Sequence, residues 1–197
     1  MRSLLRAGAR VQARLLARGL RFCFIGGIAN FRWGTPRLTN DLDLTVHAGF
    51  GGEELVITAL LADLAPRLPD AADFARQHRV LLLRTADGFA VDVALGAMPF
   101  EEGAIARATD AELARGAVLR TCSATDLVVH KAFAGRPQDW VDIEGVLVRQ
   151  KGALEWPRLW ADLRELATLK EAPETLDDLE RVARRAEAVV GVFPRPR

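Results

Sequence analysis

Two aspartates stand two residues apart in the apolar segment Asp41-Leu42-Asp43-Leu44. Residues at i and i+2 of a β-strand point to the same face, so this spacing predicts two neighbouring carboxylates. A third acid lies between valines in Val91-Asp92-Val93, where an unpaired charge would be costly. If the two strands are neighbours, the three carboxylates form one cluster.

Clustered carboxylate oxygens are the ligands that Mg²⁺ prefers. Two such ions about 3.5–4 Å apart can clamp the attacking and leaving oxygens of a phosphoryl-type displacement. The pattern therefore indicates metal-dependent phosphoryl chemistry at Asp41, Asp43 and Asp92. The alternative is structural: Asp41 caps a turn and Asp43 faces solvent on an amphipathic strand.

A glycine pair, Gly26-Gly27, ends the apolar segment 21–25 and precedes the two aspartates by thirteen intervening residues. A strand that turns into a helix through glycines exposes backbone N–H groups that can bind an anion. Glycine also lets a phosphate approach the main chain closely. The pair alone is a common turn, but its position before the acids indicates a phosphate site.

The elements that must position these residues follow from hydrophobic periodicity and turn signals. Strands are predicted at 21–25, 41–47, 80–84, 89–95 and 117–121, with a hairpin turn at Asp87-Gly88; helices are predicted before Gly19 and at 53–66, 124–134, 138–150, 155–169 and 174–190. The order predicts an α+β fold: a mixed sheet flanked by helices in residues 1–121, then a helical region in 122–197. The tail 192–197 is predicted to be frayed.

The composition excludes several classes of protein. The net charge is +1, yet residues 1–40 contain eight arginines and no acid, which leaves −7 for the rest. Five of these arginines recur every four residues and predict a basic helix face that either contacts RNA or faces solvent: Arg2, Arg6, Arg10, Arg14 and Arg18. No membrane-spanning segment or zinc-type His/Cys spacing is present, and the two cysteines favour a reduced, cytoplasmic protein.

The segments Ile25-Gly26-Gly27, Asp41-Leu42-Asp43-Leu44 and Val91-Asp92-Val93 together resemble the signature of the DNA polymerase β-like nucleotidyltransferase superfamily. Within it, GGIANFRWGTPRLTNDLDLTV is similar to the AbiEii-type toxin nucleotidyltransferases and, less closely, to the antibiotic nucleotidyltransferases. The resemblance implies that Asp41, Asp43 and Asp92 are catalytic and bind two Mg²⁺ ions. It also implies that Gly26 and Gly27 bind the triphosphate of an NTP.

The second half of the chain matches more loosely. KAFAGRPQDWVDI resembles the lysine, arginine and D-x-x-D elements of the AbiEii-type enzymes, which makes Lys131 and Arg136 expected triphosphate contacts. Arg37, in the loop before the acids, is a further candidate. Asp139 and Asp142 either position groups around the metal site or cap the helix at 138–150. The structural alternative for Lys131 is a solvated helical lysine.

The expected function is transfer of a nucleoside monophosphate from NTP to a hydroxyl group, with release of pyrophosphate. A tRNA end, a protein side chain or a small molecule could be the acceptor. If the chain is the toxin of a toxin–antitoxin pair, a cognate antitoxin is its partner. The alternatives are an antibiotic-modifying enzyme and a nucleotide-binding module without catalysis.

Overall fold

The computed structural model of the chain describes residues 1–193. In chain order its elements are α1 (Arg2–Ala17), β1 (Phe22–Phe24), α2 (Gly26–Trp33), β2 (Asp41–His47), α3 (Glu53–Leu61), β3 (Ala65–Pro66), α4 (Ala71–His78), β4 (Val80–Arg84), β5 (Ala90–Gly96), α5 (Pro99–Ala106), β6 (Thr109–Ala114), β7 (Ala117–Thr121), α6 (Ala124–Ala134), α7 (Pro137–Arg149), α8 (Trp156–Leu169) and α9 (Glu174–Val190). The predicted mixed sheet flanked by helices is confirmed.

The strands form one mixed sheet in the order β3-β4-β5-β2-β1-β7-β6. β2 pairs in parallel with β5 and antiparallel with β1, and β4 and β5 form the predicted antiparallel hairpin. Side chains alternate along β2: Leu42, Leu44 and Val46 are fully buried, while Asp41 and Asp43 are only partly buried on the other face. The sheet thus has an apolar face and a face that carries the acids.

Helix α1 covers the apolar face, since the space around Gly8 is closed by side chains of Leu42 and Leu119. The arginine stripe of α1 is therefore separated from the acids by the sheet. Arg10 forms an ion pair with Asp87 and Arg18 with Asp63, so part of the stripe is used within the fold.

The chain divides into two compact units. The first contains Met1–Ile28 and Leu38–Cys122, and the second contains Ala29–Arg37 and the chain from Ser123 onward. The segment Ala29–Arg37 thus belongs to the second unit although it lies within the first 121 residues. In the second unit, α7 packs against α6 and α9, and α8 packs against α6. Ser123 Oγ accepts a hydrogen bond from the backbone N–H of Asp126 (3.1 Å) and so caps the N-terminus of α6, the helix predicted at 124–134.

All four tryptophans of the chain, Trp33, Trp140, Trp156 and Trp160, lie in the second unit, and the chain has no tyrosine. The rings of Trp156 and Trp160 stack, as do those of Trp156 and Phe193. Phe193 is buried, so the predicted frayed tail is wrong at this residue. The remainder of that prediction, residues 194–197, lies outside the described residues.

The predicted elements differ from the observed ones in their bounds and in their number. The helix predicted at 53–66 ends at Leu61, because the chain then returns to the sheet edge as β3. Leu55 has the spacing of a core residue in this helix but is 70% exposed, since α3 buries Val56, Ile57 and Leu60 instead. The predicted elements also omit α4, α5 and β6.

No helix within residues 1–193 is long and apolar enough to cross a membrane.

Candidate active site

The three acids predicted to be catalytic lie on one face of two paired strands. Asp43 of β2 is the register partner of Asp92 of β5, and Asp41 precedes Asp43 by one full pleat. Parallel strands stand about 4.8 Å apart, so partner side chains on one face are neighbours. The sequence predicted the pair Asp41 and Asp43 from its spacing, and the pairing of β2 with β5 supplies the neighbouring strand that the addition of Asp92 required.

The glycine pair lies against the second of these acids. The backbone N–H of Gly27 points to Oδ2 of Asp43 at 3.4 Å, and the N–H of Ile25 donates to the backbone oxygen of Asp43 at 3.0 Å. Gly26 has φ +53°, a left-handed conformation that disfavours side chains. A Cβ on Gly26 would also lie 2.6 Å from Cγ of Asp43, and one on Gly27 would lie 2.8 Å from Cβ of Thr39. Both positions therefore require glycine.

The Asp43 carboxyl group occupies the space that a side chain at Gly26 would fill. We expect Gly26→Ala to lower the free energy of unfolding by about 2–3 kcal/mol, because backbone strain and overpacking add. Gly19→Ala is the matched control, since Gly19 also has positive φ (+67°) but no atom within 4 Å of its Cβ position. Urea unfolding of both variants measures the difference. Equal losses would show that the contact with Asp43 does not restrict this position.

Each acid has a neighbour in the first unit. Thr39 Oγ1 donates a hydrogen bond to Oδ1 of Asp41, and Arg67 forms an ion pair with Oδ1 of Asp92. Burial raises the pKa of the Asp92 carboxyl group above its usual range; the Arg67 charge opposes this shift, and the Asp41 charge adds to it. No local sequence pattern pointed to Arg67, because its position beside Asp92 depends on the order of the strands.

The three acids supply the carboxylate oxygens that Mg²⁺ prefers, and they lie on neighbouring strands. The absence of a side chain at Gly26 leaves room for the Asp43 carboxyl group. As the side chains stand, however, residues 1–193 contain no group of three His, Cys, Asp or Glu residues arranged to hold a metal ion. Asp92 is directed to Arg67. Metal binding by all three acids would therefore require side-chain rotation at this site.

The raised pKa of Asp92 has a consequence for stability. A carboxyl group whose pKa is raised by folding favours the folded state less when it is ionised. Its contribution to the free energy of unfolding therefore falls as the pH rises through that pKa. We expect Asp92→Asn to be as stable as wild type, or more stable, in metal-free protein at neutral pH. Any gain in stability over wild type should disappear in acid. With Mg²⁺ and NTP present, wild type should gain the larger shift in melting temperature. A metal-free variant that melts well below wild type would instead indicate that the ion pair with Arg67 stabilises the fold by more than the burial of the Asp92 charge costs.

The remaining predicted site residues form a separate charged cluster within the second unit. The Nζ of Lys131 donates to Oδ1 of Asp139 at 3.0 Å and to Oδ2 of Asp142 at 2.7 Å. Arg37 donates through Nε and Nη2 to both oxygens of Asp142, each at 2.9 Å, and Arg136 donates through Nε to Asp139 at 2.7 Å. The three basic groups neutralise both carboxylates and leave the cluster with a net charge of +1.

The interpretation of Lys131 as a solvated lysine is wrong, because its side chain is buried between two acids. The capping role of Asp139 is confirmed: its carboxylate accepts from the backbone N–H of Arg136 at the start of α7. Burial alone would raise the pKa of Asp139 and Asp142. Hydrogen bonds from Arg136 and Lys131 to Asp139, and from Arg37 and Lys131 to Asp142, outweigh it and lower both pKa values.

No protein-family model and no curated protein matches the chain. Among solved structures, it is similar to an antigenic nucleotidyltransferase-like protein from Paracoccidioides brasiliensis, with 18% identity and a TM-score of 0.54 over 90% of this chain and 92% of that one. It is also similar to the antibiotic-resistance factor ANT(2'')-Ia, with 16% identity and a TM-score of 0.50 over 94% of this chain and 92% of that one. Identities at this level indicate a shared fold. The chain therefore has the fold of nucleotidyltransferase-like proteins.

Proposed function

We propose that the chain is a metal-dependent nucleotidyltransferase that moves a nucleoside monophosphate from NTP to a hydroxyl acceptor. The observation that carries the proposal is the alignment of Asp41, Asp43 and Asp92 on one face of β2 and β5, next to a turn that requires glycine at Gly26 and Gly27. The fold shared with nucleotidyltransferase-like proteins supports it.

In this proposal Asp41, Asp43 and Asp92 would hold two Mg²⁺ ions, and the backbone of Gly26 and Gly27 would bind the triphosphate. Bound Mg²⁺ would supply charge stabilisation for the phosphate oxygens. The acceptor oxygen bonds to the α-phosphorus, the bond from that phosphorus to the β-phosphate oxygen breaks, and pyrophosphate leaves. Asp92 accepts the proton of the hydroxyl group.

Arg37, Lys131 and Arg136 stay predicted nucleotide contacts. Because Lys131 is buried, its substitution would also disturb the fold, so Arg136 is the better probe: its side chain is 75% exposed. If Arg136 contacts the triphosphate, Arg136→Gln should weaken NTP binding in titration calorimetry while the melting temperature changes little.

The acceptor defines the biological role. The sequence similarity to AbiEii-type toxins supports a tRNA acceptor and a cognate antitoxin in the cytoplasm. The paired arginines on α1 lie on the opposite sheet face from the acids, so they give the RNA hypothesis less support than their spacing suggested. The shared fold with an antibiotic-resistance factor supports a small-molecule acceptor as the second candidate.

Purified protein should be incubated with Mg²⁺ and each of four α-labelled NTPs, in the presence of total cellular RNA, cell lysate or a panel of antibiotics. Label in an RNA band supports the toxin-like role, label in a protein band identifies a protein acceptor, and label on a small molecule supports antibiotic modification. Transfer should disappear in Asp43→Ala. Binding of NTP without any transfer would favour the non-catalytic module.

A further inference from the structure

Arg67 lies on the face of the sheet that carries the acids, although the proposed reaction assigns it no role. Its backbone N–H donates to the backbone oxygen of Leu82 at 3.0 Å, Leu82 is the register partner of Asp92, and Asp92 is the partner of Asp43. These four residues form one row across β4, β5, β2 and the residue that follows β3. Residues in one row point to the same face, so the Arg67 side chain crosses Leu82 to reach Asp92.

The contact between Arg67 and Asp92 is incomplete as an ion pair. Only Nη2 of Arg67 reaches Oδ1 of Asp92, and the two side chains are 26% and 34% exposed. The Nε atom of Arg67 is buried and has no hydrogen-bond partner within residues 1–193. By contrast, Arg37 uses both Nε and Nη2 on Asp142, the bidentate geometry that makes such pairs strong. The guanidinium on Asp92 is therefore held less firmly than the one on Asp142.

We propose that Arg67 is an internal counter-ion of the carboxylate cluster, which competes with a divalent cation for Asp92. This inference rests on the proposed function, because it concerns the metal that the three acids would hold. The guanidinium and a metal ion compete for the negative charge of the same carboxylate, so each weakens the binding of the other. A cation binds Asp92 more tightly when Arg67 leaves it, and Arg67 thereby lowers the metal affinity of the site.

The test measures Mn²⁺ binding to NTP-free protein by electron paramagnetic resonance. If an ion pair of about 1 kcal/mol is removed, Arg67→Gln should lower the Kd for Mn²⁺ about fivefold. Arg84→Gln is the matched control, because it removes the same charge from an exposed position on β4. It therefore reports how the loss of one positive charge without an ion pair to Asp92 changes Mn²⁺ binding. Arg67→Lys, with a shorter side chain and a single ammonium group, should bind Mn²⁺ with a Kd between those of wild type and Arg67→Gln.

Circular dichroism melts establish that each variant is folded, and Arg67→Lys provides the test if Arg67→Gln does not fold. A folded Arg67 variant that binds Mn²⁺ no more tightly than Arg84→Gln overturns the inference. If the inference fails in this way, but wild type binds Mn²⁺ and Asp43→Ala does not, the proposed function still stands. Absence of Mn²⁺ binding to wild type, with and without NTP, overturns both.

Discussion

Replacement of Lys131 by methionine is expected to lower the free energy of unfolding by about 3 kcal/mol, the lower end of the range for breaking a buried ion pair. Lys131 is only 3% exposed, and its ammonium group lies between two buried carboxylates. Methionine fills similar volume but leaves Asp139 and Asp142 with less positive charge. Arg136 and Arg37 still contact these acids, which is why we expect the lower end of the range.

Urea unfolding followed by tryptophan fluorescence measures this change within the second unit. Lys151→Met is the control, since Lys151 is exposed and its replacement should change stability by less than about 0.5 kcal/mol. Equal stabilities of Lys131→Met and Lys151→Met would contradict a stabilising role for the buried cluster.

The same cluster predicts sensitivity to acid. The pKa values of Asp139 and Asp142 are lowered in the fold, so their contribution is present above the ordinary carboxyl range and is lost as pH falls through the lowered values. In Lys131→Met both pKa values should rise. The free energy of unfolding of the variant should therefore fall less than that of wild type as the pH is lowered, so the difference between the two proteins shrinks in acid.

Asp43→Ala is expected to reduce nucleotidyl transfer about a thousandfold or more, since a lost metal ligand removes several kcal/mol of transition-state stabilisation. Asp43 is the central acid of the cluster: it is the register partner of Asp92 and lies against Gly26 and Gly27. Its side chain is only partly buried, so the variant should fold.

The control for Asp43→Ala is Asp110→Ala, which removes an exposed acid from the edge strand β6 of the same sheet. Transfer by this control should match wild type. Label incorporation and a circular dichroism melt should be measured on the same preparations. A folded Asp43→Ala protein that transfers nucleotide at the wild-type rate would rule out the metal assignment.

The central strands could be predicted because their sequences alternate. The alternation of Asp41, Leu42, Asp43 and Leu44 defined both the bounds of β2 and the face of its acids, and the turn at Asp87-Gly88 defined the hairpin. The predictions that were wrong concern residues whose environment depends on contacts distant in sequence. Leu55 has the spacing of a core residue, but burial is decided by which face of α3 the rest of the unit covers.

The site residues also divide into those that a local sequence pattern predicts and those that only the fold brings together. The acids and glycines carry a local pattern, whereas Arg67 becomes a neighbour of Asp92 only through the order β3-β4-β5. Likewise, Arg37 is 105 residues from Asp142 in the chain, so no spacing could pair them. The burial of Lys131 follows from this pairing of charges in the second unit, which turns a set of polar residues into interior ones.

The placement of every tryptophan in the second unit, without any tyrosine in the chain, gives the protein an intrinsic optical label. Indole emission reports unfolding of the second unit alone, and the stack of Trp156 with Trp160 and Phe193 makes that emission sensitive to local packing. The circular dichroism signal of β-structure comes from the first unit, which contains the whole described sheet. Denaturation recorded by both spectroscopies on one sample therefore resolves the two units without added dyes, and separated midpoints would mark them as independent cooperative units.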